Sequence, residues 1–197
     1  MMKYRNVLLC MLLSGLACGY TSLAQADDGD CQIMSSLKQV DYGRFRREEM
    51  RQSSTEYTGK SYSGYASVTR EIQVAVECPD ARRIRLYVDG PSRQGLAYRF
   101  SDNGIMRFEV KDARVDGTAV QLTAINRGAV SVQGGAAQVT LSPDKAVAAV
   151  NGQEVAGRQW VATLSITTYL SDNAFRVSNT SDLSENVTLS FDSLAAL

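Results

Sequence analysis

From Glu71 onward, apolar and polar residues alternate with period two, the mark of strands buried on one face. Ile72, Val74, Val76 and Cys78 form one set, separated by Glu71, Gln73, Ala75 and Glu77. Ile84, Leu86 and Val88 form the next, followed by Met106, Phe108 and Val110. Val120, Leu122 and Ala124, the short unit Val139 and Leu141, and the long unit Trp160, Ala162, Leu164 and Ile166 continue the pattern. Val187, Leu189 and Phe191 close it. Between these runs stand Asp89-Gly90-Pro91, Asp102-Asn103-Gly104, Asp116-Gly117, Gly134-Gly135 and Asn151-Gly152, residue pairs and triplets that favour tight turns. No long stretch has helical period. Many short strands at this spacing predict an all-β sandwich. The stretch Arg44–Tyr65 is polar and weakly periodic, and is expected as a long loop or edge excursion with one short helical turn in Arg46–Arg51.

Ahead of these strands the pattern changes. Lys3 and Arg5 precede an apolar run, Val7 to Ala17, and the segment ends on Ala24-Gln25-Ala26, a small-x-small cleavage pattern. Residues 1–26 are therefore expected to be a signal peptide and residues 27–197 one exported domain. The apolar run is too short for a transmembrane helix, which takes about 20 residues. Gly15-Leu16-Ala17-Cys18 loosely resembles a lipid-attachment site, but Gly15 stands where a large aliphatic is expected.

Export changes the reading of the cysteines. Cys10 and Cys18 leave with the leader, and Cys31 and Cys78 remain as an even pair in an oxidising compartment, where a disulfide is expected. It would close a loop of 47 residues and stabilise the fold by about 3–4 kcal/mol on the chain-entropy account. A redox or metal site is the alternative, and the absence of other soft ligands speaks against it.

Charge and composition narrow the chemistry. Without Lys3 and Arg5 the chain carries 19 basic and 21 acidic side chains, a net charge of about −2. That balance gives no basic footprint for nucleic acid. There is no histidine, which removes His-based nucleophile systems and zinc sites. Asp27-Asp28 and Glu48-Glu49 lie side by side in polar context, unlike the facing carboxylates of glycoside hydrolysis. No glycine-rich phosphate loop opens a helix, and Asp102-Asn103-Gly104 lacks the acidic spacing of an EF-hand. No catalytic residue, cofactor or metal is expected. Of the 19 cations 15 are arginine, clustered at Arg44, Arg46, Arg47 and Arg51 and at Arg82, Arg83 and Arg85. Arginine suits carboxylate or phosphate recognition. A solvated charged face paired with Glu48, Glu49 and Asp80 is the simpler reading. Tyr57, Tyr62 and Tyr65 among Ser and Gly have the composition of an adaptable binding loop, or of a mobile polar one.

The order of several short motifs resembles one family. Cys31-Gln32-Ile33, then Val40-Asp41-Tyr42-Gly43, then Ile72–Cys78 with its terminal cysteine, look like the front half of a bacterial chaperone–usher pilin subunit. Val115–Leu122, Leu164–Leu170 and Asn186–Leu197 are similar to that family's middle, penultimate and last strands. The resemblance implies an incomplete immunoglobulin-like sandwich lacking its final strand. It implies a groove walled by Val187, Leu189, Phe191 and Leu197, filled first by a periplasmic chaperone and later by a neighbouring subunit. Such strand donation is β-augmentation. It further implies an outer-membrane usher, other fimbrial subunits as partners, and a final place in a fimbrium at the cell surface. The chain departs from the family in two ways. Asp192-Ser193-Leu194-Ala195-Ala196-Leu197 follows Phe191, where the family often ends on an aromatic near the C-terminus. Only Asp27-Asp28-Gly29-Asp30 would precede Cys31, too short to span a neighbour's groove. That suits a fibre-tip subunit that accepts a strand and donates none. The alternative expectation is a self-complete secreted module that binds a glycan or a host protein.

Overall fold

The computed structural model describes residues 31–57, 59–93, 97–130, 132–176 and 183–196. The expected signal peptide, residues 27–30 and Leu197 lie outside them. The described chain is all-β and antiparallel. In order, the strands are β1 (Gln32–Ser35), β2 (Arg51–Tyr57), β3 (Lys60–Ala66), β4 (Arg70–Asp89), β5 (Ser92–Arg93), β6 (Ala97–Phe100) and β7 (Gly104–Val115). There follow β8 (Thr118–Ala119), β9 (Gln121–Asn126), β10 (Gln138–Leu141), β11 (Lys145–Asn151), β12 (Gln153–Glu154), β13 (Ala156–Leu170) and β14 (Thr188–Ala195). Two single 3-10 turns, Arg47–Glu49 and Asp172–Phe175, are the helical segments among the described residues.

Strand β4 organises the rest. Sequence periodicity predicts two strands, Glu71–Cys78 and Arg83–Val88; the structure runs them together as one strand of 20 residues. Pro79 lies at the change of neighbours, where its missing N–H costs least. The first half pairs with β1 on one side and β13 on the other. The second half pairs with β14 on one side and β11 on the other. Because β13 also reaches Arg82 and Arg83, opposite β14, strands β1 and β14 flank the same side of β4. Beyond β13 lies β7, which carries β6, β8 and β10, and beyond β11 lies β9.

Both halves of β4 turn the same set of alternate residues inward. Ile72, Val74, Val76, Cys78, Ile84, Leu86 and Val88 join Met106, Phe108, Val110, Leu122, Leu141, Trp160, Leu164 and Ile166 in one core. Tyr98 is fully buried there, its ring edge-on to Phe108 at 4.8 Å, and its hydroxyl donates to the Val88 carbonyl at 3.0 Å. A burial-matched donor of this kind is what allows a tyrosine in a core. β11 is buried on both faces, from Ala146 to Val150. Its outer side meets Tyr87 and Ile125 in a second small cluster under Ala129 and Val132. A strand covered twice has no period two, so periodicity passes over it.

Arg44–Tyr65, expected as a long loop or edge excursion with one helical turn in Arg46–Arg51, holds the Arg47–Glu49 turn and the β2–β3 hairpin. Of the β2 side chains described, only Thr55 is buried, while Tyr62 and Ala66 of β3 pack on Ala97, Ile105 and Tyr169; so few apolar positions give the hairpin no clear alternation to betray it. At the β7–β8 turn the expectation holds. Asp116 and Gly117 take φ of 47° and 78°, the left-handed pair a tight hairpin requires. The Asp116 carboxylate then accepts the backbone N–H groups of Arg158 and Gln159 at 2.9 and 2.8 Å, across the β-bulge between Gly157 and Gln159. A Cβ at Gly157 would stand 2.2 Å from the Val115 side chain, so this crossing excludes any larger residue.

Candidate strand-accepting edge

Three features define one edge of the molecule. Cys31 and Cys78 are joined by a disulfide with their Cα atoms 4.2 Å apart, at the point where β1 begins and the first half of β4 ends. β1 runs from there along residues 74–77 of β4, and β14 runs along residues 82–89, its end directed toward the disulfide. Among the described residues no strand pairs with the outer edge of either.

The side chains along this edge are half covered. Leu189 stands opposite Val88, Phe191 opposite Leu86 and Ile33 opposite Val76, and directly opposed residues share a face. Val88, Leu86 and Val76 are all 0% exposed. Leu189, Phe191 and Ile33 pack on the same core yet stay only partly buried. The difference lies in position: the β4 residues have strands on both sides, the edge residues on one. Val187 precedes β14, is 36% exposed and lies against Gly90. Leu189 and Phe191 therefore lie along the same side of β4 as Ile33, whose partner Val76 stands ten positions before Phe191's partner Leu86; the sequence reading left Ile33 out although Cys31-Gln32-Ile33 already alternates. Leu197 lies outside the described residues.

On its inner side β14 is tied to β4 by side chains the periodicity does not show. Arg83 Nε donates to the Ala195 carbonyl at 2.8 Å. The Tyr87 hydroxyl donates to Asp192, and the Ser190 hydroxyl donates to Asp89. Burial, and then the Asp192 hydrogen bond, push the Tyr87 phenol up to about 12. Burial tends to raise Asp89, but the Ser190 and Arg127 hydrogen bonds outweigh it and hold this carboxyl below its ordinary value. The guanidinium of Arg127 also lies over the Tyr87 ring, 4.4 Å from its centre.

The cluster Arg82, Arg83 and Arg85 divides. Arg82 pairs with Asp80 at the surface, as expected. Arg85 is buried and grips Glu154 with two parallel bonds of 2.8 and 2.9 Å, while its third nitrogen reaches the Ala129 carbonyl at 2.7 Å. Arg83 adds a longer contact to the same carboxylate at 3.4 Å. Glu154 was missed in the sequence because nothing marks a lone glutamate after Asn151-Gly152 as the partner of a buried arginine.

A second feature lies on the outer face of β7 and β13, away from this edge. Arg47 donates to the Tyr65 hydroxyl and pairs with Asp172 at 2.8 Å, beside a cleft of about 440 Å³. A larger cleft of about 680 Å³ runs between the base of the β2–β3 hairpin and the sheet, lined by Tyr42, Arg44, Arg51, Val68, Thr69 and Tyr169 among others. The described residues hold no group of three or more His, Cys, Asp or Glu able to bind a metal. No described helix is long and apolar enough to cross a membrane. No protein-family model matches the chain, and no curated protein matches it.

Proposed function

We propose that this chain is an exported fimbrial-type subunit whose edge between β1 and β14 accepts a strand from a periplasmic chaperone and then from a neighbouring subunit. The observation that carries the reading is the half-buried row Ile33, Leu189 and Phe191 beside fully buried partners, with both outer edges unpaired among the described residues. An inserted strand would cover those side chains and pair with the open backbone of β14. The arrangement supports an immunoglobulin-like sandwich lacking one strand, with β1, β4, β13 and β7 in one layer and β14, β4, β11 and β9 in the other. The disulfide would pin the start of β1 to β4 at the point where one edge strand gives way to the other. An usher and other fimbrial subunits complete the proposed set of partners, and the cell surface is the proposed destination.

The test uses the oxidised exported chain and a synthetic peptide of about a dozen residues with apolar side chains at alternate positions, long enough to match a strand. Native mass spectrometry and thermal unfolding are read with this peptide and with a scrambled one. A stoichiometric complex and a raised Tm with the alternating peptide alone support strand acceptance. A stable free monomer indifferent to both peptides refutes it. That outcome favours the second reading, a self-complete surface module whose clefts beside the β2–β3 hairpin hold the ligand.

A further inference from the structure

Most arginines along this chain are answered by a carboxylate. Arg47 meets Asp172, Arg82 meets Asp80, Arg85 meets Glu154, Arg99 meets Glu185, Arg107 meets Glu109 and Arg127 meets Asp89. Arg44 and Arg51 lack a carboxylate partner, as do several other arginines, but these two share one cleft. Both are exposed, both line the 680 Å³ cleft, and among the described residues neither side chain has a hydrogen-bond or ion-pair partner. Arg46 on the same cleft holds Glu49 only loosely, at 3.4 Å. The other carboxylate at the cleft, Glu109, is engaged by Arg107 at 2.6 Å and by Gln138 at 3.2 Å. The cleft thus carries three arginines against two carboxylates, one of them already engaged by Arg107, and so presents an excess of positive charge.

Its remaining surface is selective. Tyr42 is fixed by its hydroxyl to the Ile166 carbonyl at 2.9 Å and by its ring against Phe45. Tyr169 is buried and supports the opposite wall. Between them Thr69 and Thr167 share a hydrogen bond of 2.8 Å, which leaves each hydroxyl further capacity to bond a ligand. Ser53 adds a third hydroxyl. The volume falls within the usual range for a small-molecule site.

We propose that this cleft binds a sugar acid, a pyranose ring bearing a carboxylate. The planar forks of Arg44 and Arg51 match a carboxylate. The ring hydroxyls face Ser53, Thr69 and Thr167, and the apolar face of the sugar lies on the aromatic and aliphatic wall. A simple phosphate would use the arginines and the hydroxyls and leave the aromatic and aliphatic wall idle. The site uses no residue of β1 or β14, so it stands independently of strand acceptance.

The experiment is a titration of the oxidised, 15N-labelled chain with methyl glucuronide, methyl glucoside and inorganic phosphate, followed by amide shifts. Saturable shifts confined to residues 42–53, 66–69 and 167–169 are expected with the glucuronide, and the uncharged glucoside should bind at least about tenfold more weakly, the worth of one lost charge-assisted contact. Arg44→Gln and Arg51→Gln should each weaken binding by about tenfold, with spectra that otherwise report an intact fold. Arg158→Gln, an exposed arginine outside the cleft, should leave binding unchanged. Glucoside binding equal to glucuronide, displacement by equimolar phosphate, or full binding by both cleft variants overturns the assignment. So does the absence of a saturable shift at millimolar glucuronide.

Discussion

Glu154 offers the sharpest test of how the second half of β4 is held. Its side chain is 4% exposed and that of Arg85 is 5% exposed. Two parallel bonds of 2.8 and 2.9 Å join them, and Arg83, itself bonded to the end of β14, leans on the same carboxylate. Glu154→Ala removes the one acid from beneath two guanidinium groups. Arg85 keeps its bond to the Ala129 carbonyl but becomes a buried charge with no carboxylate hydrogen-bonded to it. Breaking a buried pair in this way costs about 3–5 kcal/mol. For a domain of this size each kcal/mol shifts Tm by about 2–4 °C, so the variant should melt roughly 6–20 °C lower. The pair Arg85→Met with Glu154→Met should recover most of that loss, because desolvating both ions already offsets much of their attraction. Glu49→Ala, in the exposed pair with Arg46, serves as the control and should change stability by under about 1 kcal/mol. Urea unfolding of the four proteins, oxidised throughout, measures these differences. A loss below about 1 kcal/mol for Glu154→Ala would refute the argument, since that is the range of exposed pairs. A double variant no better than the single one would refute it equally.

Further outcomes follow from the same contacts. Cys31→Ser with Cys78→Ser should lower stability by about 4 kcal/mol through the 47-residue loop, and an oxidised wild type matched by the variant in urea would contradict this. Asp116→Ala should cost about 1–2 kcal/mol by freeing the N–H groups of Arg158 and Gln159. Asp116→Asn, which keeps an acceptor and tolerates positive φ, should cost less; equal losses in thermal unfolding would remove the carboxylate from the account. The folded chain holds the Tyr87 proton more tightly than the unfolded chain, since the phenol moves from 10.0 up to about 12. Its contribution is therefore complete below pH 10 and is lost as pH rises from 10 to about 12. Tyr42, Tyr62 and Tyr98 shift in the same direction, so the measurement is the difference between wild type and Tyr87→Phe. That difference should shrink across the window, and parallel alkaline unfolding curves would rule it out.

The linear sequence was sufficient for the strands that bury one face. Alternation placed Ile72 to Cys78, Ile84 to Val88, Met106 to Val110 and Trp160 to Ile166 on the core side, and there they lie. Cys31 and Cys78, the even pair beyond the expected leader, are joined as their number and context suggested. Asp116-Gly117 specified its turn because few other residue pairs accept two positive φ angles in succession. These are properties of a residue and its immediate neighbours. What the sequence left open depends on partners far along the chain. The β2–β3 hairpin is polar over most of both faces, and the cluster of Ala97, Ile105 and Tyr169 that receives its Tyr62 and Ala66 comes from distant strands. Arg83 and Arg85 look like surface cations until Glu154, about 70 positions away, is folded against them. The half-covered state of Ile33, Leu189 and Phe191 is likewise invisible in their alternation, because an edge strand and a central strand share the same period. Only the pairing order, which puts β1 and β14 on one side of β4 with nothing described beyond them, distinguishes the two.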